Sequence, residues 1–131
     1  MKRAAILFAG LLAIGCSPQL SVITPAPPDR VVRLSHEDDR IEVSEGVAIA
    51  VECYREGWPC KDVGATVRDT AVARVYPAHM SKLNSGYYEQ GNVSTMAIVG
   101  LTPGRTTVRV SSEGWTHDYE IVVLPTAAPG K

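Results

Sequence analysis

The chain predicts an all-β body, a two-sheet antiparallel sandwich, and three features of the sequence carry that prediction. Apolar residues recur at every second position, the apolar segments are short, and Gly, Pro, Asp and Ser interrupt them about every eight to twelve residues. No stretch carries an apolar stripe of helical period. Composition points the same way: with 45% hydrophobic residues and a single Phe, the core has to be built from Val, Ile, Leu and Ala, and β-branched side chains pack well on a pleated surface.

The chain opens with Lys2 and Arg3, then an apolar run of eleven residues from Ala4 to Ile14, then Gly15. A charged start, a short apolar stretch and a small residue at the break read as a secretory signal spanning residues 1–15. The run is too short to cross a bilayer. With Cys16 and Ser17 following, the segment resembles the lipobox of bacterial lipoproteins, although Ala13 stands where that family prefers Leu. The resemblance implies that Cys16 receives a diacylglyceryl group and that the leader is cut before it. The new amino group is then acylated with a palmitate-type chain, giving a multi-chain membrane anchor. It also implies sorting to the outer membrane of a two-membrane cell, because Ser17 rather than Asp follows the Cys. The alternative is plain secretion with Cys16 left as an unpaired thiol, which secreted proteins avoid.

Residues 16–30 hold Pro18, Pro25, Pro27 and Pro28 and read as an extended tether. From Ser17 to Arg30, fourteen residues of polyproline geometry would reach roughly 40 Å. The domain proper is expected over residues 31–124, as about seven or eight strands. Candidates are Val31 to Leu34, Ile41 to Val43, Val47 to Tyr54, Val63 to Arg68, Val72 to Tyr76, Thr95 to Val99, Arg105 to Val110 and Asp118 to Val123. In the third, Val47, Ile49, Val51 and Cys53 share one face while Ala48, Ala50, Glu52 and Tyr54 share the other. The last two read as an antiparallel hairpin whose loop, Ser112 to His117, turns at Gly114. Residues 125–131 read as a loose tail.

Cys53 and Cys60 enclose Tyr-Arg-Glu-Gly-Trp-Pro, and Gly57 with Pro59 let so short a segment turn back. In an oxidising compartment the pair forms a disulfide. A redox role would need a Cys-x-x-Cys at a helix N-terminus, and neither is present.

Ile98 to Val110, with its Gly100-Leu101-Thr102-Pro103-Gly104 corner, resembles the signature of bacterial immunoglobulin-like domains of group 2. So does Asp69 to Val75, where an Asp precedes a small-apolar strand. The similarity spans residues 31–124. It implies an immunoglobulin-like sandwich and roles of the adhesion or spacer kind. The family's strand Trp ahead of the Asp segment is missing here, and the two cysteines are extra.

Removal of residues 1–15 leaves 116 residues with 11 basic and 14 acidic side chains, a net charge near −3. Such a balance gives no electrostatic footprint for nucleic acid. His36, His79 and His117 fall in separate expected loops without ligand spacing, so no metal and no cofactor is assigned. His36-Glu37-Asp38-Asp39 reads as a solvated turn. Catalysis is not expected: no Gly-x-Ser-x-Gly elbow occurs, and nothing singles out Glu52, Glu56 and Asp62 as a carboxylate set.

What remains is a set of loop aromatics, Trp58, Tyr87, Tyr88 and Trp115, suited to contact with a partner. Tyr87 and Tyr88 sit in a polar stretch from His79 to Asn92 that is longer than an ordinary connection. The expected role is an accessory or adhesion-type, non-enzymatic module anchored to the membrane and contacting an envelope protein. The alternative is a small binder of a glycan, or an inhibitor of a lytic enzyme.

Overall fold

A computed structural model describes residues 18–78 and 94–126. The leader, Cys16, His79, Tyr87, Tyr88 and residues 127–131 lie outside the described residues. Every regular element described is a strand: β1 (Gln19–Val22), β2 (Val32–Ser35), β3 (Arg40–Ser44), β4 (Ala48–Arg55), β5 (Trp58–Pro59), β6 (Gly64–Val67), β7 (Ala73–Ala78), β8 (Thr95–Gly100), β9 (Gly104–Ser112) and β10 (Trp115–Leu124).

They form two sheets. In the first the order is β1-β4-β8-β7, with β5 folded back on β4; in the second it is β2-β3-β10-β9-β6. All pairings are antiparallel except β3 with β10, which run parallel from Arg40 beside Glu120 to Ser44 beside Leu124. This is the strand order of an immunoglobulin sandwich, one sheet of first, second, fifth and fourth strands facing one of third, sixth and seventh. The first strand is divided, and its second part joins the other sheet.

That division corrects the reading of residues 16–30 as a tether. Gln19 to Val22 pair with Tyr54 to Val51. The pairing continues through the Ile23 N–H, which donates to the Ala50 carbonyl at 2.8 Å, and the Ala50 N–H, which donates to Thr24 Oγ1 at 3.1 Å. Leu20 is 1% exposed and belongs to the core. The prolines after it break the ladder, because a residue without an N–H cannot continue one, and so let the chain cross to β2. The domain therefore starts at Gln19, not at residue 31.

The remaining strands follow the alternation of the sequence. Ile49, Val51 and Cys53 of β4 face inward with Ile41, Val43, Ile98, Val108, Val110, Tyr119, Ile121 and Val123, all buried. Complete burial of such an aliphatic side chain stabilises by about 1.5–3 kcal/mol. Gly100 lies tight against the facing sheet: a Cβ there would sit 3.1 Å from the Ser44 carbonyl and from Val43 Cγ1.

On the outer face of the second sheet charged residues alternate with these. Arg33 meets Glu42 at 3.3 Å, Arg40 and Arg105 meet Glu120 at 2.8 and 3.1 Å, and Arg109 grips Asp118 through two bonds of 2.8 and 2.9 Å. Cross-strand register sets three of these pairings, Arg33 with Glu42, Arg40 with Glu120 and Arg109 with Asp118.

The Asp69 segment and the Pro103-Gly104 corner are joined by local hydrogen bonds. The Asp69 carboxylate accepts the Ala71 N–H at 3.0 Å, closing a side-chain turn, and the Asp69 N–H donates to Thr106 Oγ1 at 2.9 Å. Leu101 and Thr102 then donate their N–H groups to the Val72 carbonyl. The Asp segment and the Pro-Gly corner thus hold each other at one end of the sandwich.

Candidate functional site at the tryptophan-bearing end

The other end is shaped by two tight hairpins. Glu56 and Gly57 have φ of 53° and 81°, and Glu113 and Gly114 have φ of 45° and 82°. Two successive left-handed residues make a two-residue turn of the primed type, whose twist matches the flanking strands. Arg55 is thereby set opposite Trp58, and Ser112 opposite Trp115. The second hairpin is tighter than the six-residue loop expected from sequence, and His117 lies within β10 rather than in a loop.

The Cys53–Cys60 disulfide is formed, with Cα atoms 5.3 Å apart, and it ties the base of the first hairpin. The Cys60 N–H donates to the Cys53 carbonyl at 2.8 Å. In the chain-entropy account a crosslink across so short a loop stabilises by roughly 2–3 kcal/mol. It fixes the hairpin that carries Trp58 more than it fixes the domain.

Trp58 is 70% exposed, the most open of the large apolar side chains described. Its cross-strand partner Arg55 reaches from the first sheet to the second, where its guanidinium carbon lies 4.6 Å from the centre of the Trp115 ring. A cation over an indole face is attracted by the ring quadrupole, worth about 0.5–1 kcal/mol at such a half-exposed place. Arg55 thus bridges the two sheets at this end, with Trp58 opposite it on the neighbouring strand. Ser112 Oγ adds a bond of 2.7 Å to the Lys61 carbonyl, holding the chain after the disulfide against the β9–β10 hairpin.

Two further segments meet this end. Because β1 runs antiparallel to β4 with Gln19 beside Tyr54, the chain enters β1 here. β7 ends here at Ala78, and the described chain resumes here at Ser94, whose carbonyl accepts the Cys53 N–H at 2.8 Å. Trp58 and Trp115, 57 positions apart in the chain, are brought together by topology. The contact roles expected of Tyr87 and Tyr88 fall outside the described residues.

The other polar residues singled out from sequence are dispersed. His36 is exposed in the β2–β3 turn, while His117 is half-buried beside Asp39, its Nε2 2.9 Å from Oδ1 but out of line for a hydrogen bond, and its ring packs tilted against Tyr119 at 4.7 Å between ring centres. Glu52 is buried and accepts the Tyr54 hydroxyl at 2.6 Å, whereas Glu56 and Asp62 are exposed. Among the described residues no three His, Cys, Asp or Glu side chains gather as a metal site would require. A shallow groove of about 400 Å³ on the outer face of the second sheet is lined by Thr66, Arg68, Thr107, Arg109 and Asp118. Sequence reasoning had no signal for it, since it joins three strands across the sheet.

No family model matches the chain, and no curated protein matches it. Among solved structures it is similar to domains 4 and 5 of the S-layer protein SbsC, with 19% identity and a TM-score of 0.47 over 81% of this chain and 54% of that one. Domains 5–6 of the same protein give 20% identity and 0.48 over 76% and 47%, and domains 4–9 give 17% and 0.48 over 86% and 15%. The chain thus spans about half the length of the shorter of these structures. The immunoglobulin-like assignment rests on strand order and pairing in the chain itself.

Proposed function

We propose that this chain is a lipid-anchored protein of the cell envelope whose immunoglobulin-like domain, of the bacterial group 2 kind, is a non-enzymatic interaction module. The observation that carries the reading is the leader with Cys16 at its break: two basic residues, eleven apolar ones, Gly15, Cys16 and Ser17. A Cys53–Cys60 disulfide fits an oxidising compartment. It also accounts for two of the three cysteines and leaves Cys16 for acylation. Ser17 after the lipidated Cys favours the outer membrane. The partner in this reading is another envelope protein, and the domain acts as an accessory subunit.

Growing cells with an alkyne palmitate analogue tests the anchor. The wild-type chain takes up label and sediments with membranes, and Cys16→Ala takes up none; an unlabelled wild type would sink the proposal. Crosslinking in the same cells, read by mass spectrometry, recovers the protein partner. The groove at Arg68 and Arg109 favours a second reading, a glycan ligand, since arginine and threonine side chains suit sugar hydroxyls and acidic substituents. Retention of the full chain on isolated peptidoglycan, lost in Arg68→Ala, is the result that reading requires.

A further inference from the structure

If Cys16 carries lipid, the correction at β1 has a geometric consequence. Pro18 and Leu20 are buried, and Gln19 already pairs with Tyr54. Ser17 is thus the sole residue between the anchor and chain packed into the domain. Two Cα steps of at most about 3.6 Å each allow roughly 7 Å between Cys16 and Pro18. The ten residues of β10 make the sandwich about 33 Å long. A link a fifth of that length keeps this end beside the membrane, so the sandwich cannot stand on its far end, the Pro103-Gly104 corner.

We propose that the end of the sandwich bearing Trp58 rests on the bilayer, with the Trp58 indole in the interface between headgroups and acyl chains. The occupant is a lipid surface, and the inference rests on the anchor reading above. Three features of this end suit it. β5 lies on the opposite flank of β4 from β1, two strand spacings or about 10 Å from the anchored strand. Trp58 is 70% exposed on a hairpin that the disulfide stiffens, and indole rings settle at the level of lipid headgroups. The two hairpins and the chain after the disulfide carry Arg55 and Lys61 with Glu56, Asp62 and Glu113, so this end has no positive excess to draw it to anionic lipid. Seating therefore depends on the acyl chains and the indole, and it resists salt.

The test uses the full lipidated chain reconstituted into phosphatidylethanolamine–phosphatidylglycerol vesicles. Trp115→Phe leaves Trp58 as the single Trp, and Trp58→Phe leaves Trp115; a melting curve for each verifies folding. Intact mass of the Cys16 peptide reports the anchor separately. The expected result is blue-shifted Trp58 emission that brominated lipid quenches, much less quenching of Trp115, and no change in either on raising salt. With Cys16 acylated, Trp58 emission left unquenched by brominated lipid overturns the proposal. A blue shift without lipid quenching also overturns it, by placing Trp58 in a protein contact. An unacylated Cys16 removes the anchor reading and this inference with it.

Discussion

Tyr119 links a buried phenol to the start of the domain. Its ring is 1% exposed, and its hydroxyl oxygen accepts the Leu20 N–H at 3.3 Å, so a side chain from the second sheet fastens the edge strand of the first. Tyr119→Phe removes that acceptor and leaves a buried amide unmet, which costs about 1 kcal/mol or somewhat more. Urea unfolding measures the loss, and amide exchange at Leu20 accelerates. Burial also raises the Tyr119 pKa above its ordinary 10.0, against a smaller lowering by the Leu20 amide. The folded state then holds the phenolic proton more tightly than the unfolded state. Its contribution is whole below pH 10.0 and is lost as pH climbs from there through the higher native value. The phenylalanine variant therefore shows a shallower alkaline decline than the wild type, and an identical decline in both would contradict this account.

At the level of elements, β1 is where sequence and structure part company. Four prolines between residues 18 and 28 dominate the composition, and four residues of strand among them leave too short a pattern to read. Pro18 stands just before β1, and the other three prolines interrupt structure between β1 and β2. Leu20→Ala decides which description holds. A packed β1 loses about 2–4 kcal/mol through the lost burial and the cavity left behind, whereas a free tether loses nothing; a chemical denaturation midpoint distinguishes them. The other eight strands were legible because apolar residues recur along them between turn residues, without a cluster of prolines around them. Arg105, Thr107 and Arg109 against Thr106, Val108 and Val110 is the plainest case. β5 was not, since two residues have no period. His117 was misplaced by the turn before it: Glu113 and Gly114 both adopt left-handed angles, so the strand restarts at Trp115. Of the candidate site, Trp58, Trp115 and the disulfide were visible as residues, but their convergence depends on which strands pair, and local alternation says nothing about that.

Across the whole molecule, the outer face of the second sheet sets the response to acid. The Arg109 hydrogen bond holds the Asp118 carboxyl below its ordinary 3.8, and the Arg40 hydrogen bond, with help from Arg105, holds Glu120 below its ordinary 4.5. Both carboxylates thus favour the folded state above those ordinary values, and their contribution disappears as pH falls through the lower native ones. These pairs are solvent-exposed, so the effect is small and salt weakens it. Thermal melts from pH 5 to pH 2 in low salt show the decline, and Arg109→Met with Arg40→Met flattens it; equal slopes in variant and wild type would assign acid sensitivity elsewhere. The parallel pairing of β3 with β10 has a different consequence. β10 is the middle strand of its sheet, flanked by β3 and β9, yet it is the last in chain order among the described strands. The second sheet therefore has no centre until Leu124 has been made, so a nascent chain that stops short of it cannot close the sandwich.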